Sequence, residues 1–444
     1  MFSLRIIATA FSCLIMTVTS IQPCRAGVGF LSPSGVDLAF APKVDFAMIN
    51  VYGVDNLRQN LELARKNHLK LYLDLGPDIG VPRPQNKISM TYIDPGSKKS
   101  RRKALGPLSP TKLRAFSPNI EDILNQFIPL FREYSDCISV IFLADEPYLN
   151  GLTKSELEAG AKTVRKNLDQ AGLEKIKLGV NFATAMFDPG FAHMMNDDFA
   201  GYAKAIDGFY TKLKSDDPLR KNYQTGRLTT YDQAGNSYLE GGLPRGFDIY
   251  TFDSYLSTFL LDSSYNNVLK WLISKNIEPA CKTFSGMTMH DLKEKLTFFR
   301  DGPIHDTEAD LDNDKRLLDD LYTCRVGTIV HLLRAQMARV SPHAHITLIS
   351  ESSNNGVMEF DSHDQREEGQ PPKLIERRVF EEVERAKSFM DQPQNNDIKN
   401  VMFFLFNNEY DKQIKMNIGG VSGMNSVLNY IHEIKNKENT ASVH

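Results

Sequence analysis

The chain has 444 residues, 41% of them hydrophobic and 24% charged, with 52 Lys and Arg set against 55 Asp and Glu for a formal net charge of -3. This is the balance of a soluble globular protein with a large buried core. Neither sign of charge dominates, so the bulk composition offers no electrostatic footprint for nucleic acid and no attraction to an anionic membrane surface.

Residues 1–26 differ from the rest. Arg5 supplies a basic start, Ile6 to Val18 is apolar but short for a membrane span, and Cys24-Arg25-Ala26 places small residues where a signal peptidase reads them. The segment reads as a secretory signal peptide cleaved after Ala26, with an uncleaved signal anchor as the alternative. Gln22 and Pro23 before Cys24 do not suit a lipoprotein. The expectation is a secreted or periplasmic protein without stable membrane insertion after cleavage. The mature chain then keeps Cys137, Cys281 and Cys324, too few for a disulfide framework and without metal-ligand spacing. One bridge at most can form. Because Cys137 and Cys281 fall at or in predicted strands, buried free thiols are favoured.

Apolar runs follow in chain order at Phe46–Val51, Lys70–Leu75, Ile138–Ala144, Lys175–Phe182, Phe247–Phe252, Glu278–Phe284, His345–Ser350 and Asn400–Phe406. Most are continuous rather than alternating, as in parallel strands buried on both faces. Helical periodicity lies between them. Asn56–Asn67 places Leu57, Leu61 and Ala64 on one face, and Asp312–Arg339 does the same with Leu317, Leu321, Ile329, Leu332, Leu333 and Met337. Strand and helix in alternation mean either a (β/α)₈ barrel or a doubly wound sheet. Polar residues close the runs, and no Gly-rich phosphate loop follows the early ones, which favours a single (β/α)₈ TIM barrel with long loop insertions. It is expected to span 27–435, with a frayed tail at 436–444.

The connections are uneven. Gly76–Pro118 is rich in Pro and Gly and carries the basic run Lys98 to Lys103; such a length suggests a functional or mobile loop, the charges being read chiefly as a solvated face. Other insertions fall at Phe187–Pro244 and Gly286–Asp310. The acidic stretch Ser352–Pro372 follows Glu351 directly and is a candidate cleft wall.

Three carboxylates at strand ends are candidate catalytic groups. Val140 to Tyr148 reads as a buried strand ending in Asp145-Glu146-Pro147-Tyr148, and two acids at an apolar terminus cost free energy unless solvated or paired. Helix capping is the alternative role for Glu146. Asp253 closes Phe247 to Phe252 beside Ser254 and Tyr255, as a site residue or a turn former. Glu351 closes Ile346 to Ser350.

The segment around Glu146 resembles the large clan of (β/α)₈ glycosidases, in which an acid/base glutamate ends a strand as Asn-Glu-Pro; this chain has Asp145 in place of that Asn. The segment around Asp253 is similar to an acid-aromatic strand end that lines sugar sites in such barrels. The resemblance implies a secreted glycoside hydrolase acting on a poly- or oligosaccharide, with Glu146 as general acid and Glu351 or Asp253 as its partner. Position at the strand ends adds Asp74, Asp145, Asn181 and Asn407 as candidate substrate-binding residues, with the strand-end aromatics Tyr52, Tyr148, Tyr255 and Phe284 as candidate stacking faces. In that clan three strands separate the two glutamates, whereas the runs above place Glu146 third and Glu351 seventh. An extra first strand at Gly27–Ser32 moves Glu146 to the fourth run but raises the total to nine, so that one run falls outside the barrel. The alternative function is a barrel that binds carbohydrate or assists polysaccharide export without cleaving it. His343-Ala344-His345 has metal-site spacing but begins its strand, on the face opposite the chemistry, and Lys282 is a candidate Schiff-base lysine only if the barrel is an aldolase. No metal and no organic cofactor is implied.

Overall fold

The computed structural model describes residues 27–82, 89–93, 100–104, 114–147, 152, 154–183, 215–216, 243–256, 266–296, 308–353, 372–411 and 416–440. The expected leader, Tyr148 and the acidic stretch 354–371 lie outside the described residues. Eight parallel strands close into a barrel: β1 (Gly27–Leu31), β2 (Phe46–Asn50), β3 (Lys70–Asp74), β4 (Ile138–Phe142), β5 (Lys177–Ala183), β6 (Ile249–Ser254), β7 (His345–Glu351) and β8 (Ile398–Phe404). Each pairs with its neighbour in sequence, and Phe30 of β1 stands opposite both Ala47 and Phe403 to close the ring. The chain is a (β/α)₈ barrel.

Helices pack outside: α1 (Gly53–Lys66), α2 (Ile120–Glu133), α3 (Lys154–Gln170), α4 (Asn266–Lys275), α5 (Glu308–Val340), α6 (Pro372–Met390) and α7 (Asn425–Thr440). The periodicity of α1 and α5 is realised, with Leu57, Leu61, Ala64, Leu317, Leu321, Ile329, Leu333 and Met337 all buried. α7 runs on to Thr440, beyond the Asn436 at which fraying is expected. Among the described residues no helix is long and apolar enough to cross a membrane.

The alternative with an extra first strand holds, and one of the eight expected runs leaves the barrel. Gly27–Leu31 is the first barrel strand, and Glu278–Phe284 is not a strand at all but a 3₁₀ segment, Pro279–Phe284. Pro279 has no N–H to give to a ladder. Cys281 and Phe284, three residues apart, are both buried, whereas Lys282 and Thr283 between them are exposed, which is the helical rather than the strand period. The segment packs on α5, where a Cβ at Gly327 would come within 2.6 Å of Glu278. Cys281 and Cys324 of α5 are disulfide-bonded, with Cα atoms 4.7 Å apart, so the expected free thiols are corrected at these two positions. Helix geometry brings them together. Cys137 is a buried free thiol.

The barrel interior is a filled plug. Phe46, Met48, Tyr72, Val140, Phe142, Ile249, Ile349 and Met402 form a cluster separate from the larger core between strands and helices. Tyr72 stacks against Phe46 at 4.4 Å and Phe142 at 6.0 Å. Glycines make room for these rings: a Cβ at Gly29 would lie 2.5 Å from Phe46, and one at Gly179 2.7 Å from Phe142. Asn400 donates to the Tyr72 hydroxyl at 2.9 Å, satisfying a polar group within the plug. With the centre filled, a ligand can reach only the barrel ends.

The long connection after β3 is ordered in its described parts. It contains a short helix (Gly76–Ile79) and two antiparallel pairs, Gly80–Pro82 with Arg114–Phe116 and Ser89–Ile93 with Ser100–Ala104. The end of the basic run, from Ser100 to Lys103, therefore belongs to a hairpin strand.

Candidate active site at the barrel mouth

The period of two along each strand determines what faces inward. Met48 leads to Asn50, Tyr72 to Asp74, Ile249 through Thr251 to Asp253 and Ile349 to Glu351, so the inward rows change from apolar to polar at their C-terminal ends. The strands are parallel, and these ends share one rim. Asn50 and Asp74 stand opposite each other in register, as do Asn181 and Thr251.

Glu146 follows β4, now the fourth barrel strand, and Glu351 ends the seventh. Three strands separate them, which resolves the counting conflict left by the sequence. The Glu146 amide donates to the Asn181 carbonyl at 3.1 Å, so the β4 exit stays bound to β5 beyond the regular ladder. Its φ of 41° is unusual for a residue with a Cβ and costs on the order of 1–3 kcal/mol, strain of the kind concentrated at functional sites. Glu351 is held on its far side: the following amide, Ser352, donates to Phe404 at 2.6 Å.

Asp145 and Asn181 form the polar floor beside Glu146. Asn181 Nδ2 donates to Asp145 Oδ1 at 2.6 Å, and its Oδ1 accepts from Thr251 at 2.9 Å. Asp145 is exposed at the mouth, yet the groups packed round it still weaken the solvation of its charge. Loss of solvation raises its pKa, and the Asn181 hydrogen bond offsets only part of that rise.

Tyr255 marks the centre. Burial raises its phenol well above the usual range, and the charges of Asp253, Asp145, Glu146 and Glu351 push it further in the same direction. The charges at the ends of β4, β6 and β7 thus all bear on one hydroxyl, which stays protonated and available as a donor. The Tyr255 ring packs 5.6 Å from Phe404 of β8.

Beside this centre lies a cavity of about 290 Å³ bordered by Asn50, Tyr52, Asp74, Phe116, Asp145 and Leu152. Asp74 accepts the Gly76 amide at 2.8 Å, and Asn50 donates to the Tyr52 hydroxyl at 3.1 Å. Tyr52 is 57% exposed, and an exposed aromatic at the rim of a polar cavity suits stacking on an apolar sugar face. Sequence reasoning noted Tyr52 but passed over Asn50, whose signal is its place two residues beyond inward-facing Met48.

Other expected site residues fall elsewhere. Phe284 is fully buried in the 3₁₀ segment outside the barrel ring, so it cannot stack on a ligand. Lys282, exposed on the same segment, does not enter the mouth and cannot serve as a barrel Schiff-base lysine. His345 begins β7 at the opposite end, where loss of solvation and then Lys177 and Lys399 lower its pKa. Asn407 follows β8 at the mouth end and is half-buried. Among the described residues no three of His, Cys, Asp and Glu are grouped to hold a metal ion.

No family model matches the sequence, and no curated protein matches it. Solved structures similar to the chain include a mutant rice β-glucosidase in covalent complex with Glc, at 11% identity and a TM-score of 0.36, covering 89% of this chain and 85% of that one. Another is a family 1 β-glucosidase from Thermotoga maritima, at 8% identity and a TM-score of 0.33, covering 90% and 84%. The fold assignment rests on the closed barrel itself.

Proposed function

We propose that the protein is a glycoside hydrolase that cleaves a poly- or oligosaccharide with two carboxyl groups at the barrel mouth. The observation that carries this reading is the placement of Asp145, Glu146, Asp253 and Glu351 at the C-terminal ends of β4, β6 and β7, on one rim of the barrel. Glycosidic cleavage needs one carboxyl to protonate the leaving oxygen and another to attack the anomeric carbon or activate water. Glu146 is half-buried on a strained turn and acts as the acid. Glu351, three strands away and held between ladder bonds, is the partner, with Asp253 and Tyr255 orienting it. The cavity between Tyr52 and Asp145 takes an adjoining sugar ring. A secreted or periplasmic location fits the N-terminal leader, and the Cys281–Cys324 disulfide supports an oxidising compartment.

The experiment is Glu146→Gln on a polysaccharide panel, with melting temperature and carbohydrate binding measured alongside. Cleavage should fall by about 10²–10⁴-fold, since Gln keeps the shape but cannot transfer the proton. Cleavage persisting in a folded Glu146→Gln protein ends the assignment. A wild type that binds glycans but cuts none on the panel favours a carbohydrate-binding barrel.

A further inference from the structure

The turn that carries Glu146 is gripped from the neighbouring strand by one residue. The Asn181 backbone amide donates to the Ala144 carbonyl at 3.5 Å, and the Asn181 carbonyl accepts from the Glu146 amide at 3.1 Å. A residue bonded to the positions on either side of another is paired with the one between, so Asp145 is the parallel partner of Asn181 beyond the regular ladder. Thr251 of β6 is its partner on the other side. Side chains of partners in one row point the same way, and these three are joined. Asn181 Nδ2 donates to Asp145 Oδ1 at 2.6 Å, and Asn181 Oδ1 accepts from Thr251 at 2.9 Å.

Glu146 needs such support. Side chains alternate along a strand, so a regular continuation of β4 would put Glu146 on the face opposite Asp145. Its φ of 41° breaks that alternation. A left-handed residue with a Cβ persists only where its neighbours fix it. Asn181 bonds both residues of the turn, one through its side chain and the other through its backbone. It is 1% exposed, and both ends of its side-chain amide are engaged, whereas Asp145 is exposed and Glu146 half-buried. Asn181 is thus placed beneath the groups that meet a ligand.

We propose that Asn181 is a positioning residue that fixes Asp145 through its side chain and Glu146 through its carbonyl, so that the Glu146 carboxyl stays aimed into the mouth. This rests on the reading of Glu146 as the general acid. A proton donor must come within hydrogen-bond reach of the leaving oxygen, and a displacement of about 1 Å can cost about 10²-fold in rate. Thr251 extends the hold, because it restrains the Asn181 side chain from the far side. Asn181 touches no sugar and acts through the turn alone. The donor end of its amide is what the role requires. Aspartate in its place keeps an acceptor for Thr251 but sets an oxygen against the Asp145 carboxylate.

Exchanging donor and acceptor tests the role. Asn181→Leu keeps the volume and removes both side-chain bonds, whereas Asn181→Asp combined with Asp145→Asn reverses the 2.6 Å bond and restores it. On a glycan of the polysaccharide panel that wild type cuts, Asn181→Leu and Asn181→Asp should each lower kcat by about 10–100-fold, with KM within about twofold. The loss in Asn181→Asp should be smaller at acid pH, where the facing carboxyls share a proton and the bond re-forms. The reversed pair should exceed Asn181→Asp by about tenfold and approach Asp145→Asn alone, a coupling that independent residues do not show. A folded Asn181→Leu protein with wild-type kcat overturns the proposal, and so does a raised KM at unchanged kcat, which marks a substrate contact. A reversed pair no more active than Asn181→Asp overturns it as well. Should the variants at position 181 not fold, Thr251→Val, which replaces only the hydroxyl by a methyl, should lower kcat about fivefold, and an unchanged kcat there overturns the proposal. Full activity in Glu146→Gln, or a wild type that cuts no glycan, overturns the catalytic reading and the positioning role with it. An inactive Glu146→Gln without rescue in the reversed pair overturns the positioning role alone.

Discussion

Asn181 donates a 2.6 Å hydrogen bond to Asp145, tying the end of β5 to the residue beside Glu146. The same amide accepts from Thr251 of β6, so one side chain links three successive strand ends at the mouth. An Asn at position 145 can still accept from Asn181, which makes Asp145→Asn a clean test of charge. The folded pKa of Asp145 is raised, chiefly by lost solvation, so the folded state holds more protons than the unfolded chain above the ordinary carboxylate range. Stability contributed by this group is therefore lost as pH rises from about 4 through the raised value. Melting temperature followed from about pH 4 to 8 should fall less in Asp145→Asn than in wild type. Identical slopes would show that Asp145 does not titrate abnormally.

Tyr255→Phe removes the hydroxyl on which the charges of Asp253, Asp145, Glu146 and Glu351 bear, while keeping the ring that packs on Phe404. A hydrogen bond to a charged group contributes about 1.5–3 kcal/mol, so kcat should fall by about one to two orders of magnitude at near wild-type melting temperature. An unchanged kcat would remove Tyr255 from the site.

Opening the Cys281–Cys324 bridge releases a chain segment with a sequence separation of 43. Cys281→Ser with Cys324→Ser should lower unfolding free energy by about 2–4 kcal/mol, read from denaturant midpoints, and reductant should do the same to wild type. Thiol counting tests the leader as well. Denatured, unreduced mature protein should show Cys137 as its single thiol, whereas an uncleaved chain adds Cys13 and Cys24.

Phe284→Ala should cost about 3–5 kcal/mol of stability, as expected for a fully buried ring, and leave glycan affinity unchanged. Tyr52→Ala should do the reverse, with little loss of stability because its side chain is 57% exposed and a measurable loss of sugar binding. Equal effects on affinity would return Phe284 to the site.

Sequence alone determined the repeating units. Continuous apolar runs such as Val140 to Phe142 mark segments covered on both sides, and Leu57, Leu61 and Ala64 recur at the helical period. The polar endings Asp74, Asp253 and Glu351 were legible for the same reason, because a charged residue closing an apolar run must reach water or a partner. Tertiary structure decided the rest. A short apolar run has no periodicity that separates strand from helix, so only closure of the ring admitted Gly27–Leu31 and excluded Pro279–Phe284. That choice put Glu146 on the fourth strand, brought Cys281 to Cys324 and removed Phe284 from the mouth.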